Sequence, residues 1–508
     1  MRGLQTPVRA IRRQVFTEVA KLGFKANAET LVADMEAIPY EIVGEDSEVK
    51  YRESIYRARA VVRERLRLAM GLSLRPENKP VHLTAGVEAS NISEKYYEPP
   101  LMQVIPSGCE SCEENKYEVS NVCKGCLAHP CQEVCPRGAI SMVNGKSFID
   151  QDKCIKCGKC KSVCPYDAIA KKERPCKKAC GVNAITSDKL GRAYIDADKC
   201  VSCGMCMVSC PFGAISDKSQ IFQLARALSE GEEIVAEVAP AFVGQFGSNI
   251  NVRNFKAALE ELGFSETYEV ALGADIGAIA EAHHYVNKVT TGELPFLLTS
   301  CCPSWAMLAK KFFPDLIDQI SQELTPMVAT ARTIKQEHPN AKVVFIGPCA
   351  AKKLEAMRTD IRSDVDFVLT FEEMDGIFDA RHVDVEKIEE DPEGVNDASM
   401  DGRNFAVAGG VAKSVVDVIH ERYPDKEIKV ANAEGLKECR KLLTMAKAGK
   451  YNGYLLEGMA CPGGCVAGAG TMQPIKKSQA SVNLYASKAK HKTSNETEHV
   501  KELDKLVD

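Results

Sequence analysis

Pro295-Phe296-Leu297-Leu298-Thr299-Ser300-Cys301-Cys302-Pro303-Ser304-Trp305 sets a short apolar run directly against a pair of adjacent cysteines. The arrangement returns twice downstream. Val343-Val344-Phe345-Ile346 leads into Gly347-Pro348-Cys349-Ala350-Ala351-Lys352-Lys353, and Tyr454-Leu455-Leu456 precedes Met459-Ala460-Cys461-Pro462-Gly463-Gly464-Cys465. Runs of this length read as buried strands, so three strand ends are expected to deliver soft thiolate ligands to one pocket. In open α/β sheets the crevice at the strand ends is where ligands bind. From Ile234 onward, strand-like runs alternate with helical stretches such as 254–262, which argues for βαβ units and mainly parallel sheets.

Upstream, residues 105–215 hold 16 of the 22 cysteines and an internal repeat. Cys131-Gln132-Glu133-Val134-Cys135-Pro136-Arg137-Gly138-Ala139-Ile140 recurs around Cys160 and Cys164, around Cys176 and Cys180, and around Cys206 and Cys210, each time ending in Ala-Ile. Four half-ferredoxin endings are implied. Two copies match the bacterial run C-x2-C-x2-C-x3-C-P: Cys154, Cys157, Cys160, Cys164 and Cys200, Cys203, Cys206, Cys210. In such pairs the fourth cysteine serves the other cluster, which predicts Cys154, Cys157 and Cys160 with Cys210, and Cys200, Cys203 and Cys206 with Cys164. Structural zinc explains C-x2-C pairs but not these reciprocal endings. Cys123, Cys126, Cys131 and Cys135 form a stretched copy. Cys176 and Cys180 lack a nearby C-x2-C, which Cys109 and Cys112 can supply; those eight thiols suffice for two further cubanes, although a zinc site on Cys109 and Cys112 fits the spacing almost as well. Cys439 stands alone on a helix-like segment and reads as core.

The 508 residues, 45% hydrophobic, suffice for three or four domains. A net charge of -5 with mixed signs offers no basic stripe for nucleic acid. The first residues lead into no apolar signal core, and no apolar run reaches a membrane span, so a soluble cytoplasmic protein without membrane contact is expected. Residues 1–104 read as a helical N-terminal segment, with 56–66 a strongly basic helix presenting a solvated or docking face. Tyr96-Tyr97 before Pro99-Pro100 reads as a linker. The expected order is then a ferredoxin-like α+β iron-sulfur domain over 105–217, an α/β catalytic domain over 218–475, and a polar C-terminal tail over 476–508 that ends in a short surface helix.

The three cysteine motifs closely resemble, in order, the signature motifs of the FeFe hydrogenases. That resemblance implies an H-cluster: a 4Fe-4S cubane bridged to a diiron centre carrying CO, cyanide and azadithiolate. Carried over by position, it implies Cys302, Cys349, Cys461 and Cys465 as cubane ligands, with Cys465 as the bridge. Cys301 is left as a free thiol in the inner proton-relay position. Glu281 and Ser321 fall on the family's outward proton path. Its second acidic position falls on His284 and its outer arginine on Lys288. Lys352 matches the lysine that binds a cyanide ligand, and Met459 a methionine beside the two irons. Gly347, Ala241 and Met327 replace the family's usual methionine, serine and glutamine, which marks a divergent subgroup.

The plant-type two-iron cysteine pattern is missing, and no Walker, flavin or nicotinamide fingerprint follows a strand. Electrons are therefore expected through two to four accessory 4Fe-4S clusters from a ferredoxin-type carrier, with maturation proteins supplying the diiron centre. The implied activity is reversible interconversion of protons and electrons with hydrogen. A hydrogen or redox sensor is the first alternative, opposed by the retained Cys301. A non-enzymatic iron-sulfur assembly protein is the second, opposed by Cys301, Lys352 and Met459 together.

Overall fold

The computed structural model describes residues 3–25, 29–45, 52–248, 250–391, 395 and 397–500. Two parallel sheets form the centre of the C-terminal half. One has four strands in the order Glu266–Glu269, Ile234–Val238, Lys342–Gly347, Phe367–Thr370. The other has three, ordered Leu297–Leu298, Tyr454–Met459, Lys429–Glu434. Strands buried on both faces need near-continuous apolar sequence, and Val343 to Ile346 and Phe367 to Leu369 supply it. The first and third cysteine motifs leave neighbouring strands of the smaller sheet, and the second leaves the larger sheet. The pocket they share therefore lies between two sheets.

The helices Pro7–Lys25, Leu31–Ile42 and Ile55–Ala69 belong to the same core. Val15, Phe16, Val19 and Ala20 pack with Phe222, Phe371 and Met374, and Arg12 pairs with Glu372 at 2.7 Å. The stretch read as a linker is bound down as well. Tyr96 packs against this core, and Lys95 donates to the carbonyls of Ala356 at 3.1 Å and Arg362 at 2.6 Å. The tail is corrected in the same sense. Its helix Ile475–Ser487 buries Ser478, Val482 and Ala486, and Ser494 donates to Asp275 at 2.8 Å. The surface helix expected over 500–506 lies, beyond Val500, outside the described residues.

The iron-sulfur domain is one ferredoxin unit inserted into another. In the outer unit, Met102–Val104 pairs antiparallel with Ile215–Asp217, and Ile185–Ser187 with Ala193–Ile195. In the inserted unit, Lys116–Val119 pairs with Ile169–Lys172, and Ile140–Val143 with Lys146–Ile149. The insertion separates Cys112 from Cys176, which is why that copy looks broken in sequence.

Candidate iron-sulfur and catalytic site

The four repeat copies adopt the same local geometry. In each C-x2-C loop the residue before the second cysteine is left-handed: Ser111 (φ 46°), Gly125 (58°), Lys156 (59°) and Ser202 (53°). Each ending repeats the device at Gly138 (φ 57°), Asp167 (46°), Asn183 (55°) and Gly213 (58°). These are mostly glycine, Asn, Asp or Ser because bulkier side chains pay a steric penalty in that region. The turn then aims the next amide at the cysteine four residues back. Ala139, Ala168, Ala184 and Ala214 donate N–H to the sulfurs of Cys135, Cys164, Cys180 and Cys210 at 3.3, 3.4, 3.2 and 3.4 Å. The isoleucine that follows each alanine is buried. Such N–H···S bonds stabilise negative charge on a ligating sulfur.

The thiols gather across different copies from those expected. Cys154, Cys157 and Cys160 share a cavity with Cys135, not with Cys210. Cys210 lines a second cavity with Cys109, Cys112 and Cys176. Cys200 and Cys203 pack with Cys180 against one apolar cluster and Cys206 with Cys180 against another, whereas Cys164 packs within the inserted unit. Cys123 and Cys131 meet at Ser147, the latter at 3.3 Å, and Cys164 packs in the same apolar cluster as Cys131. The reason is topological: each antiparallel unit folds its own two copies against each other.

The basic helix Ile55–Ala69 has a definite target. Arg57 donates to the carbonyl of Ser107 at 2.8 Å, Arg52 just before the helix to Gly108 and Phe212 at 2.9 and 2.6 Å, and Arg65 to Gly213. From the other side Arg174 donates to the Cys112 carbonyl at 2.9 Å. Guanidinium groups thus surround the Cys109, Cys112, Cys176 and Cys210 quartet. Positive charge nearby favours the reduced form of a cluster. Arg52→Gln with Arg57→Gln is expected to lower the midpoint potential of that one cluster in an EPR-monitored redox titration; unchanged midpoints would leave the arginines only a packing role.

The three C-terminal motifs meet at one cavity of about 90 Å³, lined by Cys301, Cys302, Cys349, Cys461, Cys465, Lys352 and Met459. Apolar groups, among them Ala239, Ala271, Ala274 and Phe405, complete its wall. Consecutive positive φ angles at Gly463 (97°) and Gly464 (89°) fold the chain back between Cys461 and Cys465 so that both thiols face inward. Five convergent thiols, one buried cation and a dry wall suit an anionic, thiolate-bound cofactor. Lys352 contacts Glu355 at 2.8 Å and Thr325 at 3.2 Å. Burial opposes its charge, but Glu355 and Cys349 outweigh burial and hold its pKa above the ordinary value. Thr325, which also donates to Glu355 at 2.5 Å, and Glu355 itself were not identified from the sequence. The Lys-x2-Glu spacing, one helical turn, was a signal for the latter.

Cys301 is half-buried in the cavity wall, and desolvation first, then Cys302, Glu457, Cys465 and Glu281, pushes its thiol well above the ordinary value. Glu281, on the helix Val270–Lys288, does not line the cavity but lies close enough to help raise the Cys301 thiol. Burial lifts its carboxyl to about 8 against a hydrogen bond with Ser321 that lowers it, and its Oε2 has no protein partner. The Ser321 hydroxyl accepts the Glu323 amide at 3.2 Å, and the Glu323 carboxylate meets His284 Nδ1 at 3.2 Å. A carboxylate thus reaches His284 from the loop that carries Ser321. Lys288 pairs with Glu293 at 2.5 Å.

Residues 232–469 match the family described as iron only hydrogenase large subunit, C-terminal domain. The chain is an iron-only-hydrogenase-like protein. Its residues 123–173 match the LdpA Fe-S cluster-binding domain and 193–216 the 4Fe-4S binding domain, one in each ferredoxin unit. The periplasmic Fe hydrogenase large subunit of Nitratidesulfovibrio vulgaris is 28% identical over 51% of this hydrogenase-like chain and 73% of its own length. The NADP-reducing hydrogenase subunit HndD of Solidesulfovibrio fructosivorans is 28% identical over 49% of this chain; the match spans only about half of that relative, 52%. Cytosolic iron-sulfur assembly component 3 of Bos taurus is 24% identical over 45% of this chain and 59% of its own. Within the hydrogenase-like cavity, Ala241 and Met327 line the wall and offer no hydrogen bond. Gly347 has a partner: a Cβ there would sit 2.4 Å from the Phe345 ring, which itself lines the cavity. Phenylalanine thus takes the space a side chain at 347 would need. Among the described residues no helix is long and apolar enough to cross a membrane.

Proposed function

We propose that the chain interconverts protons, electrons and molecular hydrogen in the cytoplasm, at an H-cluster held by Cys302, Cys349, Cys461 and Cys465. The observation that carries this reading is the lining of a single cavity by those four thiols together with Cys301, Lys352 and Met459. When bound, the diiron centre would supply the open metal position at which hydrogen is cleaved or formed. Cys465 would hold the diiron part as well as the cubane, Lys352 would present a buried ammonium to the anionic group, and Met459 closes the apolar wall. Cys301 passes a proton to the unpartnered oxygen of Glu281 as the carboxyl's own proton moves on toward Ser321. Ser321, Glu323 and His284 continue the line toward solvent.

Four accessory cubanes belong to the same reading, on the quartets Cys200, Cys203, Cys206, Cys180; Cys109, Cys112, Cys176, Cys210; Cys154, Cys157, Cys160, Cys135; and Cys123, Cys126, Cys131, Cys164. The first is nearest the catalytic cavity, because Cys203 lies within electrostatic reach of Cys302 and Cys461, and Ser304 donates to the Val201 carbonyl at 2.9 Å. A ferredoxin-type carrier supplies the electrons. The assembly-factor relative supports a second reading, an iron-sulfur assembly protein that holds cubanes without the diiron centre. Hydrogen evolution from a reduced low-potential donor, after anaerobic co-expression with maturation proteins, separates the two: turnover supports the enzyme, and fully loaded cubanes without turnover support the assembly role.

Glu281 also gives a pH prediction. Its folded pKa of about 8 exceeds the ordinary 4.5, so its contribution to stability is fully present below 4.5 and is lost as pH rises through 8. Glu281→Gln cannot ionise. Its melting temperature is expected to gain on the parent's between pH 5 and pH 8, while proton delivery falls; a difference in melting temperature that does not change with pH would show that Glu281 is not held protonated.

A further inference from the structure

The inserted ferredoxin unit exposes cations around one of its thiol quartets. The cavity lined by Cys135, Cys154, Cys157 and Cys160 is also lined by Arg137, Ile155 and Lys159. Lys156 and Lys161 flank these residues in the chain, so that 153–161 carries four lysines and no acid. Many lysines of this unit are spoken for: Lys116 and Lys172 pair with Glu113 and Glu118, Lys171 with Glu173, and Lys153 with Asp150. Arg137, Lys156, Lys159 and Lys161 are exposed and, among the described residues, form no ion pair. Between them Ile155 is 56% exposed, and Cys157 is itself exposed. A solvent-facing cluster ligand inside an apolar spot rimmed by unpaired cations combines a short tunnelling path with long-range attraction for anions.

We propose that this cavity mouth is the docking site for an acidic electron-carrier protein of the ferredoxin type, which deepens the partner named in the proposed function and rests on that reading's cluster at Cys135, Cys154, Cys157 and Cys160. One electron passes from the reduced carrier to the oxidised cluster, and no atom is transferred. Ile155 makes the apolar contact, and Arg137, Lys156 and Lys159 steer the encounter. The carrier must present carboxylates around its own cluster.

The test uses the full chain with its clusters loaded, iron content checked for each variant, and a reduced acidic bacterial two-cluster ferredoxin as probe in stopped-flow measurements of cluster absorbance. It needs no hydrogen chemistry, so a positive result stands even for a protein that never turns over hydrogen. The second-order rate is expected to fall steeply with ionic strength, and Arg137→Glu with Lys156→Glu and Lys159→Glu is expected to lower it about tenfold or more at low salt and to flatten that dependence. Lys156→Gln with Lys159→Gln, a milder change should the triple variant fail to load clusters, is expected to give an intermediate rate. An unchanged rate overturns the proposal, as does an equal loss from Lys116→Glu with Lys172→Glu. A rate that merely follows a shifted cluster potential assigns the cations to the cluster alone. Binding of an RNA oligonucleotide that these variants abolish, with no effect on the carrier, assigns them to nucleic acid.

Discussion

Cys301→Ser is expected to lower hydrogen turnover by roughly 100-fold or more while every iron stays in place. Cys301 lines the cavity with the four proposed ligand thiols, yet by the family resemblance it is not one of them. A serine hydroxyl keeps its size but is a far weaker acid than a thiol, so the step to Glu281 loses its carrier. Cys302→Ser should instead disturb the cubane itself. Comparing iron content and hydrogen evolution for the two variants separates the roles. Full activity in Cys301→Ser, or iron loss equal to that of Cys302→Ser, would show the pair to be assigned the wrong way round.

The second large effect concerns the cluster quartets. Cys210→Ser and Cys112→Ser are each expected to lose about four irons, the content of one cubane, and the double variant should lose no more than either alone. Cys157→Ser combined with Cys210→Ser should lose about eight, because these residues line different cavities. The pairing expected from sequence predicts the reverse: about four for Cys157 with Cys210. Iron and sulfide analysis of the purified full-length variants decides between the two.

That reversal shows where sequence reading stopped. The half-motifs were legible because their turn chemistry is local: Gly138, Asp167, Asn183 and Gly213 each sit at a left-handed position that the spacing marks out. Which half faces which is decided by strands far apart in the chain, Met102–Val104 against Ile215–Asp217, and all four copies carry the same local signal. The parallel sheets were legible for a related reason, since Val343 to Ile346 and Phe367 to Leu369 are apolar throughout and have to be buried on both faces.

The N-terminal helices were legible as helices but not as part of the core around the four-stranded sheet. Amphipathic spacing shows that Val15, Phe16 and Val19 need a partner, not that the partner is the helix carrying Phe371 and Met374. The arginines of 56–66 read as a charged face; only the fold turns Arg57 and Arg65, with Arg52 ahead of them, onto carbonyls beside Cys109 and Cys210. Position-by-position transfer could not find Glu323 either, because the carboxylate that meets His284 comes from a loop rather than from the helix that carries Glu281. Gly347 likewise makes sense only beside Phe345.

Infrared spectroscopy of the protein matured in an anaerobic host tests the central claim most directly. The account predicts bands from metal-bound CO and cyanide, present in the parent, retained in Cys301→Ser and absent from Cys465→Ser. Loaded cubanes with no such bands, under maturation conditions that produce them in an authentic hydrogenase, would contradict it.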